Sequence, residues 1–449
     1  MSITDASTRG AWSTKLGFIL AAAGSAVGLG NIWRFPTEVA SNGGAAFLVV
    51  YLICCFLIGF PVMMAELSIG RHTRKNPVGA FKALSSKPVY ALIGAWGVLC
   101  GVMILSYYIV IAGWTVSYFF EQIFFSMGMQ EWATYIADLG NGPMNALFAV
   151  LFMAVTISIV VGGISDGIER ATKFMMPLLI FILIILIGYV LTQPGSTEGL
   201  KEYLQPDFSQ ITPGLIFAAM GQAFFSLSLG MGALITYGSY LNKKENITEA
   251  AAYVTLADVG IAFLAGLLIM PAMYMAQAQG VAIFNDSGEL IAGVGLIFQV
   301  LPQLFHTLGG TLGLVFGASF FFLLSVAALT STISLLEVPV SYAIDEQGIP
   351  RKKAASMIGI GILLISLIIS FNTSFIDIID MIFSQIGLPL GGIMICLFLG
   401  YVWKTENAMT EIESGHPNIK SSLLGKTWRF LIMIVCPLAI LYNLISNLI

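Results

Sequence analysis

The amino-acid sequence predicts an all-α integral membrane protein with about eleven transmembrane helices. Only 10% of its 449 residues are charged and 57% are hydrophobic, whereas about a quarter of the residues of a soluble globular protein are charged. A helix needs about 20 mostly apolar residues to cross the hydrocarbon core of a bilayer, and eleven stretches meet this requirement. Lipid is therefore the main solvent of this chain.

The eleven predicted spans follow one another along the whole chain and are numbered here from the amino terminus. They cover residues 15–38, 43–70, 89–124, 143–162, 166–192, 213–241, 247–277, 309–343, 354–371, 375–403 and 428–449. Several are longer than a bilayer is thick, so we expect them to tilt or bend. Span 1 follows a polar leader without a small-residue cleavage site, which indicates a retained helix and not a signal peptide.

Lysine and arginine residues gather in alternate loops, and this bias predicts the orientation of the chain. The loops on one side carry Arg9, Lys15, Arg71, Arg74, Lys75, Lys82, Lys87, Arg170, Lys173, Lys243, Lys244, residues 351–353 and the basic residues of 404–429. The opposite loops have only Lys201 outside the spans. Because cytoplasmic loops are rich in these residues, we predict a multi-pass protein of the cell membrane with a cytoplasmic amino terminus and an external carboxyl terminus.

The positions of cysteine and histidine argue against a redox enzyme. All five cysteines lie inside predicted spans, and the three histidines lie in or beside loops. A disulfide framework is therefore not expected, and no pair of imidazoles within the membrane is available for haem or a transition metal. The sequence also shows no metal-ligand set or nucleophile–base pair of another enzyme class, and we expect no nucleic-acid partner.

Spans 1 and 6 each contain a glycine-rich run at the midpoint. Residues 24–31 read Gly-Ser-Ala-Val-Gly-Leu-Gly-Asn, and residues 226–232 read Ser-Leu-Ser-Leu-Gly-Met-Gly. Glycine loses the most conformational entropy in a helix, and non-helical backbone at membrane depth must line a cavity enclosed by protein. One such run alone is more typical of close helix packing. Two runs placed five spans apart predict two inverted five-helix repeats in which helices 1 and 6 are discontinuous.

The same residues resemble the neurotransmitter:sodium symporter family. The resemblance is strongest from Trp12 through residues 24–36, which end in Asn-Ile-Trp-Arg-Phe-Pro. It continues through residues 42–47, Glu66, residues 70–71, residues 221–230 and residues 327–331. Glu66 matches the buried carboxylate that receives backbone amides freed by the breaks in this family.

This resemblance implies a sodium-coupled symporter of the bacterial amino-acid transporter branch that works by alternating access. Residues 1–449 would form a single transmembrane transport domain. Repeat one would cover about 15–192 and repeat two about 213–403, with an additional helix at about 428–449. The twelfth helix of the family is missing, and the resemblance places that helix outside the transport core.

By the same resemblance, two sodium ions bind at the breaks. The first ion would use the carbonyl of Ala26 and the side chains of Asn31, Ser226 and Asp258, together with the carboxylate of the substrate. The second would use the carbonyls of Gly24, Val27 and Ala327 and the hydroxyls of Thr330 and Ser331. Taken alone, those two hydroxyls are better explained by hydrogen bonds to carbonyls one turn earlier in their own helix.

The resemblance also places a small-molecule amino acid beside the breaks. The residues expected to contact it are Ser25, Ala26, Leu29, Gly30, Ile104, Tyr108, Phe225, Ser226, Ser228, Met231, Ser331 and Leu335, with Ser334 at the rim. The part of this set that would face the substrate side chain carries no charge, and a methionine adapts to varied shapes. We therefore predict a hydrophobic L-amino acid, aliphatic or aromatic.

Charged side chains inside predicted spans need a partner or a function because burying them in lipid is costly. The resemblance pairs Arg34 with Asp380 as a gate on the outer side. On the inner side it pairs Arg9 with Asp345, with Trp12 packed beside them.

Asp258 departs from the animal members of the family, which carry an amide at this position and bind chloride nearby. Tyr51, Gln222 and Ser226 stand at matching chloride-site positions, but Ala262 supplies no ligand. A fixed carboxylate would provide the compensating negative charge that buried sodium needs, so chloride is not expected. A substrate sensor or a channel on the same fold stays open as an alternative function, although channel filters are built from symmetric rings of subunits.

Overall fold

The computed structural model describes residues 11–283, 291 and 293–448, and these residues form helices and no β-strand. Nine helices are long and apolar enough to cross a bilayer. A tenth span is the pair Lys15–Ala26 and Gly30–Ser41, which is bent by 52° at its break. The interrupted stretch of Pro213–Ser226 and Ala233–Gly238 is span 6. The described part of the chain therefore contains the eleven spans that the sequence predicts.

The other spans are helices with local π-helical turns in some of them, and the last part of span 10 is a separate polar helix. They are Ala45–Thr73 (span 2), Pro88–Ser126 (span 3), Gly142–Val161 (span 4), Ile164–Val190 (span 5), Ile247–Ala278 (span 7), Gly310–Gln347 (span 8), Arg351–Phe371 (span 9), Ser374–Glu413 (span 10) and Leu423–Ser446 (span 11). The boundaries of the two repeats stay a prediction.

Several predicted span ends are wrong, because helices continue past the apolar stretch that a hydropathy criterion detects. Span 8 runs to Gln347 and not to residue 343. The apolar helix of span 10 ends at Lys404, close to the predicted residue 403, because Lys404 turns the chain at φ 71°, and a separate polar helix, Thr405–Glu413, follows. Span 11 begins at Leu423 instead of residue 428, where the Ser422 side chain accepts a hydrogen bond from the backbone of the first turn.

Four shorter helices lie in the connections between the predicted spans. They are Pro77–Leu84, Gln130–Ala137, Ser196–Leu204 and the apolar Leu296–Leu308 between spans 7 and 8. Each is too short to cross a bilayer, so a search for apolar stretches of about 20 residues does not find them.

The starts of several spans follow from ordinary capping chemistry. Thr14, Asn141, Thr212 and Asn246 precede spans 1, 4, 6 and 7, and each side chain accepts a hydrogen bond from a backbone amide of the first turn. These amides have no partner within the helix. Proline is the second helical residue of span 4 and the first of span 6, where its missing N–H costs nothing.

The spans pack around a centre formed by the broken spans 1 and 6. Spans 3 and 8 lie along each other, spans 4 and 9 pack on their outside, and span 1 contacts spans 5, 7 and 8. Large apolar side chains face outward on the peripheral spans: Leu151, Phe181 and Ile368 are 51%, 63% and 63% exposed. Apolar surface of this extent requires lipid around it.

Candidate functional site

Spans 1 and 6 are interrupted at the positions of their glycine-rich runs. The first helix of span 1 ends at Ala26 and the second begins at Gly30. The break in span 6 lies between residues 226 and 233 and contains three residues in the left-handed region: Ser228, Gly230 and Gly232, with φ of 54°, 81° and 77°. Glycine adopts this region freely, whereas a serine there is strained. The predicted discontinuity of both helices is confirmed.

Side chains satisfy backbone groups that the breaks release. The Ser228 hydroxyl donates to the carbonyl of Ser25 at 2.9 Å and so connects the two breaks directly. The amide of Gly230 donates to Glu66 Oε1 at 2.7 Å, which is the contact that the family resemblance implied for this carboxylate. Because no water is available in the bilayer core, such partners are what make non-helical backbone tolerable at this depth.

Two further bonds tie the break in span 1 to neighbouring spans. The Gln222 side-chain amide donates to the carbonyl of Gly30 at 2.8 Å. The backbone amide of Leu29 donates to the Tyr108 hydroxyl at 2.9 Å. The polar backbone of this break is therefore fixed by spans 3 and 6 from two directions.

The side chains predicted for the first sodium site come together in a buried cluster. Asn31 Nδ2 donates to Asp258 Oδ1 at 2.7 Å and to Ser226 Oγ at 3.0 Å. The Ser226 hydroxyl lies 2.9 Å from both carboxylate oxygens of Asp258, and the Tyr51 hydroxyl lies 3.3 Å from Oδ2. All four residues are buried. Spans 1, 2, 6 and 7 thus converge on one carboxylate, and Ala26 lies in the adjacent cavity wall.

The residues predicted for the second sodium site also lie together, between spans 1 and 8. Thr330 Oγ1 donates to the carbonyl of Val27 at 3.0 Å and to that of Ala327 at 2.8 Å. A Cβ atom built on Gly24 would lie 3.4 Å from Thr330 Cβ. Thr330 therefore makes both the bond to its own helix and a bond across to the break, while Ser331 lies in the cavity wall.

A small cavity lies where the two breaks face spans 3 and 8. Its lining consists of Ser25, Ala26, Gly28, Gly30, Ile104, Tyr108, Phe225, Ser228, Met231, Ser331 and Leu335. Ten of the twelve residues predicted to contact the substrate are in this lining. Leu29 is not, but its amide holds Tyr108, and Ser226 is directed to Asp258. The hydroxyl of Ser334 bonds to the carbonyl of Ser331.

Gly28 is a lining residue that the sequence analysis missed. A Cβ atom at this position would lie 2.1 Å from Ser331 Oγ and 2.8 Å from the Tyr108 hydroxyl. A side chain would therefore fill the space between the break and spans 3 and 8. Its place inside the glycine-rich run was the available signal.

A second cavity lies between spans 5, 7 and 8 and the helix Leu296–Leu308. Its wall consists of aliphatic and aromatic side chains, among them Leu186, Ile269 and Phe320. Binding sites for small polar molecules need a few polar groups to orient the ligand, and this wall offers only the hydroxyl of Tyr189. The cavity at the breaks is therefore the candidate functional site.

The predicted outer pair, Arg34 and Asp380, lies over one wall of the candidate site. Arg34 Nη1 is 3.6 Å from Asp380 Oδ1, and both side chains are about one-fifth exposed. The guanidinium also lies 4.7 Å from the centre of the Phe225 ring, which lines the cavity. Tyr107 donates to Asp380 at 2.7 Å, and Glu38 lies 3.8 Å from Arg34. These contacts join spans 1, 3, 6 and 10 at one point.

The residues predicted for the inner gate are only partly described. Trp12 is buried, packs edge-on against Tyr237 and donates from its indole nitrogen to the Tyr237 carbonyl at 3.1 Å. Asp345 accepts from the backbone amide of Asn76 at 2.7 Å. Arg9 lies outside the described residues, so its pairing with Asp345 stays a prediction.

Several carboxylates within the spans were overlooked in the sequence, among them Glu337 and Glu121. Glu337 of span 8 is buried and receives Arg351 at 2.7 and 2.8 Å, together with the Tyr240 hydroxyl. Glu121 of span 3 pairs with His306 at 2.7 Å. Each is an ionisable residue inside a predicted span, and the cost of burying it in lipid was the signal that a partner should be sought.

Comparison with known proteins places this arrangement among transporters. The model of the sodium:neurotransmitter symporter family matches residues 9–137 and 122–449. YhdH of Bacillus subtilis, an uncharacterised sodium-dependent transporter, is 35% identical over 445 residues and 96% of each chain is covered. An uncharacterised sodium-dependent transporter of Haemophilus influenzae is 36% identical over 471 residues, with 99% of each chain covered.

One solved structure of high similarity is the crystal structure of MhsT in complex with L-phenylalanine. It is 41% identical in sequence and aligns with a TM-score of 0.85, over 98% of this chain and 99% of that one. The likeness extends over the whole architecture and confirms the predicted fold class.

Proposed function

Because this chain belongs to the sodium:neurotransmitter symporter family, whose members are secondary transporters and not enzymes, we propose that its substrate is a hydrophobic L-amino acid. The chain is a membrane protein and a sodium-coupled transporter. The observation that carries the substrate proposal is the cavity at the two breaks, which combines an uncharged apolar wall with polar backbone. The L-phenylalanine bound to MhsT supports the same substrate class.

The two ends of the cavity suit the two ends of such a substrate. Ile104, Met231 and Leu335 form an apolar wall for the side chain. At the other end, the second helix of span 1 begins at Gly30, and the positive end of its helix dipole favours a carboxylate. No charged side chain lines the cavity, which disfavours acidic and basic amino acids.

We assign two sodium ions to the clusters beside the cavity. The first would bind among the oxygens of Asn31, Ser226 and Asp258 with the carbonyl of Ala26 and the substrate carboxylate, so that substrate and ion bind together. The second would take the carbonyls of Gly24, Val27 and Ala327 and the hydroxyls of Thr330 and Ser331. The closeness of these groups across spans 1, 6, 7 and 8 supports both assignments.

The carboxylate of Asp258 would also make chloride unnecessary. A buried cation needs a negative charge nearby, and Asp258 is held among three hydrogen-bond donors in the cluster. Transport would then alternate between closure of the outer pair, Arg34 and Asp380, and closure of the inner gate at Trp12 and Asp345. In this assignment the amino terminus lies in the cytoplasm of the cell.

Uptake into proteoliposomes tests the proposal. The purified protein should accumulate L-leucine and L-phenylalanine when sodium is outside, with a Hill coefficient for sodium above one because two ions bind. Replacing sodium with choline or potassium should abolish uptake, and L-glutamate and L-lysine should not compete. Sodium-dependent binding without uptake or counterflow would contradict transport and would favour a sensor. Uptake of glycine or charged amino acids in preference to leucine would contradict the substrate class.

A further inference from the structure

Ser25 has an unpaired hydroxyl in the wall of the candidate site. Of the serine hydroxyls buried within the described part of the chain, Ser25 Oγ alone has no hydrogen-bond partner. Its residue is 2% exposed. Buried polar groups without a partner are rare and destabilising. This hydroxyl therefore needs a reason for its position.

Serines elsewhere in the spans show what is usual for this chain. Ser117, Ser341 and Ser366 are all buried, and each donates to a backbone carbonyl one turn earlier, at 3.0, 2.7 and 3.1 Å. A serine in an apolar helix satisfies itself in this way when packing is its only role. Ser25 lies in the last turn of the helix Lys15–Ala26, where the same bond is available, and does not make it.

The surroundings of Ser25 leave the cavity as the place for a partner. Its backbone carbonyl is occupied by the Ser228 hydroxyl at 2.9 Å. Across the cavity, the Tyr108 hydroxyl accepts from the amide of Leu29. The rest of the wall includes Ile104 and Met231, which cannot form strong hydrogen bonds. The other hydroxyls of the lining, those of Tyr108, Ser228 and Ser331, have partners within the protein, so Ser25 contributes the unpaired hydroxyl of this lining.

We propose that Ser25 selects a substrate side chain that carries one hydrogen-bonding group on an aromatic body, namely L-tyrosine or L-tryptophan over L-phenylalanine and L-leucine. This inference rests on the proposed function, because it requires an amino acid in this cavity. A serine hydroxyl both donates and accepts, so it pairs with the phenol of tyrosine and accepts from the indole N–H of tryptophan. Phenylalanine still fits the apolar wall but leaves the hydroxyl unpaired.

The size of the effect follows from the strength of one hydrogen bond. A typical net contribution corresponds to an affinity ratio of about threefold to tenfold. Tyrosine should therefore bind about threefold to tenfold more tightly than phenylalanine. Tryptophan should exceed L-3-benzothienylalanine, which has the same shape without the N–H, by a similar factor.

The test is equilibrium binding to the purified full-length protein in sodium, with each amino acid competing against a radiolabelled one. The wild-type protein should show both ratios. Ser25→Ala should reduce both ratios to about one, because the hydroxyl that distinguishes the paired amino acids is removed. Ser366→Ala is the matched control, since it removes a buried serine hydroxyl that bonds only to its own helix, and it should preserve both ratios.

Each result decides between the alternatives. Affinity ratios near one in the wild-type protein overturn the inference, and this measurement needs no variant. The inference is therefore tested even if the Ser25→Ala protein misfolds. Ratios that persist in folded Ser25→Ala overturn it as well. In both cases, binding of phenylalanine and leucine would leave the proposed function standing. If no hydrophobic amino acid binds, the proposed function fails and the inference fails with it.

Discussion

Replacing Asp258 with asparagine separates the charge of this residue from its shape. In the structure its two oxygens accept hydrogen bonds from Asn31 at 2.7 Å, from Ser226 at 2.9 Å and from Tyr51 at 3.3 Å. Asparagine keeps one oxygen for Asn31 and turns an NH2 group toward two hydroxyls that can rotate to accept. The hydrogen-bonding loss is then about 1 kcal/mol, or about fivefold in an equilibrium constant.

The loss of charge has a larger predicted effect. If sodium binds about 4 Å from the carboxylate, as we propose, their attraction at an effective dielectric constant of about 20 is about 4 kcal/mol. Losing it would weaken sodium binding about a thousandfold. The two contributions therefore differ by about two orders of magnitude in the sodium concentration required.

The assay measures sodium-dependent binding of radiolabelled L-phenylalanine in sodium chloride and in sodium gluconate. The wild-type protein should need the same sodium concentration in both buffers. Asp258→Asn should need far more sodium in gluconate and should recover part of its affinity in chloride. Glu121→Gln is a suitable control, because it neutralises a buried carboxylate of span 3 that pairs with His306 and should leave sodium binding unchanged.

A small shift would refute the charge assignment. If Asp258→Asn needs only about fivefold more sodium, equally in gluconate and chloride, the aspartate acts through hydrogen bonds alone. Full activity of this variant in gluconate would also exclude Asp258 as the substitute for chloride.

Three other perturbations test the gate, the second sodium site and the break in span 6. Arg34→Ala should abolish uptake because it removes the proposed outer gate. Expression should stay near normal, because the ion pair with Asp380 is partly solvated and contributes about 0–1 kcal/mol to stability. Loss of folded protein on size-exclusion chromatography would contradict this. Thr330→Val should raise the sodium concentration for half-maximal uptake about fivefold or more, because one hydroxyl ligand is lost. A changed order of substrate preference would refute the assignment of Thr330 to the second sodium site. Gly230→Ala should lower the thermal unfolding temperature in detergent or prevent folding, since its Cβ would lie 2.2 Å from a backbone carbonyl of span 10. The control is Gly221→Ala, which has open space around its Cβ. This control should be neutral or should stabilise the fold by up to about 1 kcal/mol.

The features that could be predicted from the sequence are those encoded in contiguous residues. A span of about 20 apolar residues can be recognised from its composition, and the glycine-rich runs mark where spans 1 and 6 are interrupted. Ser25 and Met231 lie within these runs, and the family resemblance identified them as substrate contacts. Asp258 is a charged residue inside an apolar span and therefore carries a local signal, whereas Thr330 carries none. Only the family resemblance connected the two residues to the breaks.

The features that could not be predicted depend on residues distant in the sequence. Arg71 was treated as a loop residue in the orientation analysis, yet its side chain is fully buried and bonds to Glu411 at 2.7 Å. These two residues are separated by 340 positions, and Glu411 lies in a polar helix that hydropathy does not detect. Periodicity and composition describe one segment at a time, so they do not reveal which buried charge meets which partner.

The hydrogen bond between Ser228 and Ser25 has a consequence for how this sequence can change. Ser228 holds a left-handed backbone conformation that costs a residue with a side chain about 1 kcal/mol or more, whereas a glycine would adopt it without strain. A glycine at position 228 would relax the turn but leave the two interrupted helices unlinked, because the bond is made by the serine hydroxyl. We therefore expect selection at position 228 to preserve the hydrogen bond between the two interrupted helices. Relatives with glycine at this position should connect their two breaks through another side chain.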